Sequence, residues 1–250
     1  MSATDEKLDL TMSTAMRSAS HYHNYQWDLV SPFLGDRISE IGIGFGQYTQ
    51  RMVEAGKDVL ACDLDVQHLD DVSKLISSDH LRTLQLNLES PGAAMKAFEE
   101  FRPDTTILLN VLEHVSDHVG ALRFLNDVTV EGGKLVLIVP ALGWIFNGLD
   151  RQAGHYRRYN RSMVQSVFSD SGWTVKTCRY INAPGIPGWV AAGLLAKISN
   201  ANNELDAAST NGLIRLYDRW FVCLSRISDP LIRRIAGLSV FAVAEKQTSA

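Results

Sequence analysis

The chain is short of cysteine, of positive charge and of long apolar runs, and each shortage removes a class of protein. Its 250 residues include three cysteines, Cys62, Cys178 and Cys223. Scattered and odd in number, they form neither a metal-ligand spacing nor a disulfide framework, so a reducing cytoplasm is the expected compartment. Twenty-four basic residues face twenty-eight acidic ones, a formal charge of −4. Nucleic-acid binding through bulk charge needs a broad excess of Lys and Arg, so no nucleic-acid partner is expected. The longest uncharged run, Tyr180 to Ala196, is interrupted by Asn182, Pro184, Pro187 and three glycines. It is too short and too broken to span a bilayer. The opening MSATDEKLDLTMST lacks the basic-then-apolar order of a signal peptide. At 46% hydrophobic and 21% charged residues the composition is that of a folded chain, long enough for one large domain or two small ones.

What is present is a regular alternation. Residues 1–34 read as an arm followed by a short amphipathic helix from His21 to Leu34, carried by Tyr22, Tyr25, Trp27 and Leu29. RISEI, VLACD, LRTLQLN, TTILLN and KLVLIVP then read as strands. GQYTQRMVEAG, VQHLDDVSKLI, the stretch near GAAMKAFEEF and His118 to Val128 read as the helices between them. A helix over Ser162 to Ser171 leads to a sixth strand, WTVKTCRYI, and LSVFAVAEK gives a seventh. Continuous apolar strands alternating with helices predict an α/β fold, a doubly wound, seven-stranded, mostly parallel sheet covered on both faces. The seventh strand follows a long insertion instead of a crossover helix, which leaves it free to enter antiparallel. Residues 183–236 are that insertion, expected as a helical cap over the ligand end of a single domain spanning 1–250. Leu213, Tyr217, Trp220, Leu224 and Ile227 share one helical face of it.

The most informative stretch is Glu40-Ile41-Gly42-Ile43-Gly44-Phe45-Gly46, between the first strand and its helix. Glycines let the backbone turn tightly and approach a ligand, and a helix start aims free N–H groups at it. Asp63 ends the second strand, placed to accept hydrogen bonds from two ribose hydroxyls. In a doubly wound sheet these positions converge where ligands bind.

A dinucleotide fingerprint needs G-x-G-x-x-G, but residue 47 is Gln and the third glycine is Gly46. The spacing E-x-G-x-G-x-G instead resembles the first motif of class I S-adenosylmethionine-dependent methyltransferases. Asn87-Leu88 after the third strand, Asn110-Val111-Leu112-Glu113-His114-Val115 after the fourth, and Glu131-Gly132-Gly133 before the fifth extend the resemblance over about residues 22–182 and the last strand. The family often has Asp where this chain has Asn87. The resemblance implies a Rossmann-like methyltransferase fold with S-adenosylmethionine as cofactor. By position, Glu40 would orient the loop and the methionine amino group, and Gly42, Gly44 and Gly46 would line the amino-acid end. Asp63 would hold the ribose, Leu64 would join the same binding set, Asn87 and Leu88 would meet the adenine, and Asn110 would offer its carbonyl to the methionine ammonium.

For chemistry on the acceptor there are two candidates. His114 follows the fourth strand, near where the family holds the sulfonium. His155 lies in Gly154-His155-Tyr156-Arg157-Arg158-Tyr159, similar to a stretch in a subset of bacterial methyltransferases. An imidazole can take a proton near neutral pH. Arg157 or Arg158 can fork onto a carboxylate or phosphate of the substrate, with Tyr156 and Trp144 as further substrate contacts. No metal ligand set is expected. Trp144, Phe146, Trp189, Tyr217 and Trp220 either fill the core or wall an apolar acceptor chamber. The helix bearing Arg226, Arg233 and Arg234 could lie on a membrane surface, against which stand Asp218 and Asp229.

The expected activity is methyl transfer from S-adenosylmethionine to a small, partly apolar metabolite, most favourably at a hydroxyl or carboxyl oxygen, with N- or C-methylation as the nearest variant. Two other classes compete. A short-chain NAD-dependent oxidoreductase needs Tyr-x-x-x-Lys, and no tyrosine here is followed four residues later by lysine. A non-catalytic protein of the same fold is opposed by the intact glycine loop and Asp63.

Overall fold

A computed structural model describes residues 17–202, 218–219 and 222–248. Residues 1–16 of the expected arm, and Leu213, Tyr217 and Trp220 of the expected cap face, lie outside the described residues. In chain order the elements are α1 (Ser20–Val30), β1 (Arg37–Ile41), α2 (Gln47–Glu54), β2 (Asp58–Asp63), α3 (Val66–Leu75), β3 (Leu81–Gln85), α4 (Met95–Phe101) and β4 (Thr105–Leu109). There follow α5 (His118–Val128), β5 (Lys134–Pro140), α6 (Gly148–Gln152), α7 (Arg161–Asp170), β6 (Trp173–Ile181), α8 (Gly185–Asn202), α9 (Val222–Ile232) and β7 (Ser239–Lys246).

Local chemistry starts several helices where the chain must turn back onto the sheet. Asp65 accepts from the Gln67 N–H to open α3, Asp117 from that of Gly120 to open α5, and Asn160 from that of Met163 to open α7. Each satisfies a helix-start donor that would otherwise be unpaired. The seven strands run in the order β3-β2-β1-β4-β5-β7-β6. All neighbours are parallel except β7, which pairs antiparallel with both β5 and β6. Strand order reverses between β1 and β4, so the loops after those strands open the crevice where such a sheet takes ligands.

Apolar side chains cover both faces. Leu108, Leu137 and Val139 pack with Phe98, Leu122, Leu125 and Phe168 on one side. Ile38, Val59, Ile107 and Phe241 pack with Tyr25, Met52 and Val72 on the other.

The segment between β5 and β7 leaves and rejoins the sheet at adjoining points, for the Ala141 N–H donates to the Leu238 carbonyl at 2.8 Å. Within it, α8 packs on α6, and Trp189 lies over the Arg158 guanidinium at 4.5 Å. α9 packs on α1 and β6 through Val222, Ser225 and Asp229. Asp229 accepts from the Tyr25 hydroxyl and the Asn182 N–H, and Arg226 pairs with Asp28. Because these polar partners fix the rotation of α9, Leu224 and Ile227 point outward, 51% and 72% exposed, instead of inward as their spacing suggested. No helix among the described residues is long and apolar enough to cross a membrane.

Candidate active site

The glycine loop is shaped by three left-handed residues, Gly42, Gly44 and Gly46, with φ of 75°, 52° and 74°. At Gly42 and Gly46 a Cβ would stand 2.4 Å from Val111 and from Val72 respectively, so the loop seats directly on α3 and on the turn after β4. Asp63 ties the loop to β2, since one carboxylate oxygen accepts from the Gly44 N–H at 3.2 Å and the other from the Asp65 N–H at 2.9 Å. His68, on the first turn of α3, adds its Nδ1 at 3.3 Å. Beneath the loop Glu40 is buried against the Thr49 hydroxyl. Burial pushes its carboxyl up to about 8, against the Thr49 bond and with help from Asp63.

Opposite, the chain leaves β4 through Asn110, whose φ of 57° turns it sharply, into a short turn over Leu112–His114. Tyr22 of α1 reaches across to pair with the Asn110 side chain. The same turn is locked to the segment after α6. The Tyr156 N–H donates to the Glu113 carbonyl at 2.8 Å, and the Tyr159 hydroxyl to that of Leu112 at 3.2 Å. These bonds bring His114 and His155 together, ring centroids 4.7 Å apart and nearly perpendicular.

His155 is fixed by its Nδ1, 2.9 Å from the wholly buried Asp150, which also accepts from Arg158 Nε at 2.7 Å. Burial works against the Asp150 carboxylate, but its bonds from His155 and Arg158 prevail and hold it below the usual range. With Nδ1–H committed to the carboxylate, Nε2 keeps its lone pair, buried and without a partner in the protein. Glu113, buried beside it, is pushed up to about 8 by desolvation, which Arg158 opposes.

Residues 39–137 match the family model described as a methyltransferase domain. The full architecture is similar to a chain of the complex between the Haloferax volcanii Trm112 methyltransferase activator and a methyltransferase, with a TM-score of 0.59, 15% identity, and coverage of 97% of this chain and 98% of that one. Residues 39–137 carry a methyltransferase domain, and the fold is that of class I S-adenosylmethionine-dependent methyltransferases. A further structure, Haemonchus contortus phosphoethanolamine N-methyltransferase 2 in complex with S-adenosyl-L-methionine, matches at a TM-score of 0.60 and 12% identity over 98% of this chain and 61% of that one. Among curated proteins, the tRNA U34 carboxymethyltransferase of Pseudomonas fluorescens (strain SBW25) is 31% identical over 46% of this chain. The match takes in 36% of that relative, so the chain spans well under half the length of the curated protein it resembles.

S-adenosylmethionine is the cofactor of this methyltransferase domain, and the residues present fit it. Its ammonium and sulfonium are cations, and buried Asp63 beside the glycine loop, with Glu40 beneath it, offers acidic groups toward them. Of the residues expected from sequence, Glu40, Gly42, Gly44, Gly46 and Asp63 gather at the end of β1 and β2, and Asn110 follows β4, the strand that pairs beside β1. Leu64 is exposed beside Asp63, Asn87 is exposed at the end of β3 with its side chain accepting from Glu89, and Leu88 is buried. The acceptor-side candidates divide. His114 and His155 meet, and Trp144 and Tyr156 are exposed at the rim. Arg157 grips the carbonyls of Val115 and Ser116, and Arg158 is buried against Asp150 and the Ala141 carbonyl. Both arginines thus hold the loops in register. Tyr22, Asp150 and the side chain of Glu113 belong to the site without having been singled out from sequence. The spacing Asp150-x-x-x-x-His155-x-x-Arg158 was the signal available for one of them.

Proposed function

We propose that the protein transfers the methyl group of S-adenosylmethionine to a small, partly apolar acceptor, at a hydroxyl or carboxyl oxygen. The sulfonium S–C bond breaks as the O–C bond forms, and a hydroxyl acceptor's proton leaves toward the His114–His155 centre. One observation carries this reading: an imidazole whose Nδ1 is anchored on a buried carboxylate meets His114, in the turn whose Val111 stands against Gly42 of the glycine loop. Holding two reactants in such a place supplies roughly 7–11 kcal/mol of the barrier, and a positioned base about 10²–10⁴-fold more. Trp144, Tyr156 and Trp189 supply apolar surface for the acceptor, in keeping with a small molecule.

Incubation with methyl-labelled cofactor and fractionated native metabolites tests the proposal. Wild type should label an organic-soluble product. His155→Ala should cut turnover about 10²-fold or more while calorimetry shows unchanged affinity for S-adenosylhomocysteine. Collapse of cofactor binding in that variant would place His155 in the cofactor site instead. A second reading, transfer to a tRNA nucleoside, is favoured by the name of the curated relatives. Label appearing in bulk tRNA and in no metabolite fraction would establish it over the first. A sequence net charge of −4 and a match confined to about half the chain favour the small acceptor.

A further inference from the structure

Two buried polar atoms beside the crevice have no hydrogen-bond partner: Glu113 Oε2 and His155 Nε2. Glu113 is 1% exposed, and the His155 side chain 7%. Such groups are costly to bury unsatisfied, and each calls for a partner that the protein itself does not supply. They do not satisfy one another, although ligating atoms of Glu113, His114 and His155 all lie within 4.8 Å of one another. We propose that these three side chains bind a single divalent first-row transition metal ion, on the acceptor side of the cofactor crevice.

The donor set argues for the ion class. Two imidazoles and one carboxylate suit zinc, cobalt, iron or nickel better than magnesium or calcium, which prefer oxygen alone. The surroundings argue for a built site. Ligating histidines characteristically donate their other ring N–H to a carboxylate, which fixes the tautomer and raises basicity. His155 does this to Asp150 at 2.9 Å, and Arg158 and the Asn147 N–H, at 2.7 and 2.9 Å, hold Asp150 in turn. Backbone bonding from Tyr156 to Glu113 at 2.8 Å locks the two ligand-bearing loops together, so the three donors are held before any ion arrives. At metal–nitrogen distances near 2.1 Å donors stand roughly 3.4 Å apart, so an ion would draw the three in from their present spacing. The centre rests on the proposed function solely for its use. There, a cation with open positions would take over the imidazoles' part: as ligands they no longer accept the hydroxyl proton, and the metal-bound acceptor oxygen, made more acidic, would release it to water.

Metal binding is measured without any methyl acceptor. Full-length protein stripped with chelator and dialysed against cobalt(II) should retain one equivalent per chain by mass spectrometry, with visible d–d absorption and no thiolate charge-transfer band. Zinc should displace it. His114→Ala, at a half-buried position, and the near-isosteric Glu113→Gln should each weaken retention by about tenfold or more while the far-ultraviolet spectrum stays that of wild type. Retention equal to that of the two variants, or a thiolate band showing cysteine ligation, would overturn the proposal. Binding of S-adenosylhomocysteine by the same metal-free sample would show that the failure is of the metal site alone and leave methyl transfer standing.

Discussion

Glu40 lies buried at the end of β1 with the Thr49 hydroxyl as its partner, and its carboxyl is raised to about 8 from 4.5. A group whose folded pKa exceeds its unfolded one favours folding fully below the unfolded value and loses that advantage as pH rises through the folded value. Between about pH 4.5 and 8 the folded chain therefore holds a proton that the unfolded chain has released, and stability falls by an amount of the order of a few kcal/mol. Thermal melts of cofactor-free protein should show Glu40→Gln losing less stability than wild type between pH 5 and 8. Glu113 titrates in the same sense, so the difference between the two proteins, not the wild-type slope, isolates Glu40. Asp63→Ala should weaken S-adenosylhomocysteine by about tenfold or more in calorimetry, since bonds to a charged acceptor contribute about 1.5–3 kcal/mol each. Glu40 and Asp63 were legible in the sequence because a motif places them at strand ends. Asp150 was one of twenty-eight acids until the fold buried it under His155 and Arg158. Tyr22 stayed hidden because only the packing of α1 carries it to Asn110.

Among elements, β5 (Lys134–Pro140), a continuous apolar run, and β6 (Trp173–Ile181), of mixed residues, both match the spans read from sequence. The stretch near GAAMKAFEEF instead splits into a 3₁₀ turn over Pro91–Ala94 and α4, because proline opens it. α9 departs further. Its spacing of Leu224 and Ile227 is that of an inward stripe, yet Ser225 and Asp229 face in, since the Tyr25 hydroxyl and two backbone N–H groups need Asp229 there. Apolar periodicity carries no record of such a buried polar requirement. The β1–α2 junction yields a sharp test. Gly42→Ala combines a left-handed backbone with a Cβ 2.4 Å from Val111. It should destabilise the protein by roughly 1–3 kcal/mol, read as a lowered urea midpoint, and weaken cofactor binding through the displaced loop. Asn160→Ala, which removes the cap of α7, should cost about 1 kcal/mol with cofactor affinity unchanged.

At the scale of the molecule the sheet has two unequal partners. Strands β3, β2, β1, β4 and β5 pair among themselves and carry the glycine loop, Asp63 and Asn110. Among the described residues β6 pairs only with β7. In native-state hydrogen exchange, β6 amides should therefore be no better protected than those of β7; slower exchange in β6 would contradict this dependence. The antiparallel entry of β7 was open in the sequence because a long insertion, not a crossover helix, precedes it. Its place between β5 and β6 was not, since strand order is decided by pairings that no local pattern records. The match to the methyltransferase family ends at residue 137, inside β5, just before the chain departs toward His155. Departure and return are joined by the bond from Ala141 to Leu238 at 2.8 Å. Everything between, His155, β6, α8 and α9 included, hangs from adjoining points on one edge of the five strands that carry the glycine loop, Asp63 and Asn110. A segment so attached can be exchanged for one of different length while the register of the first five strands stays as it is, and on the proposed function such an exchange would change the acceptor.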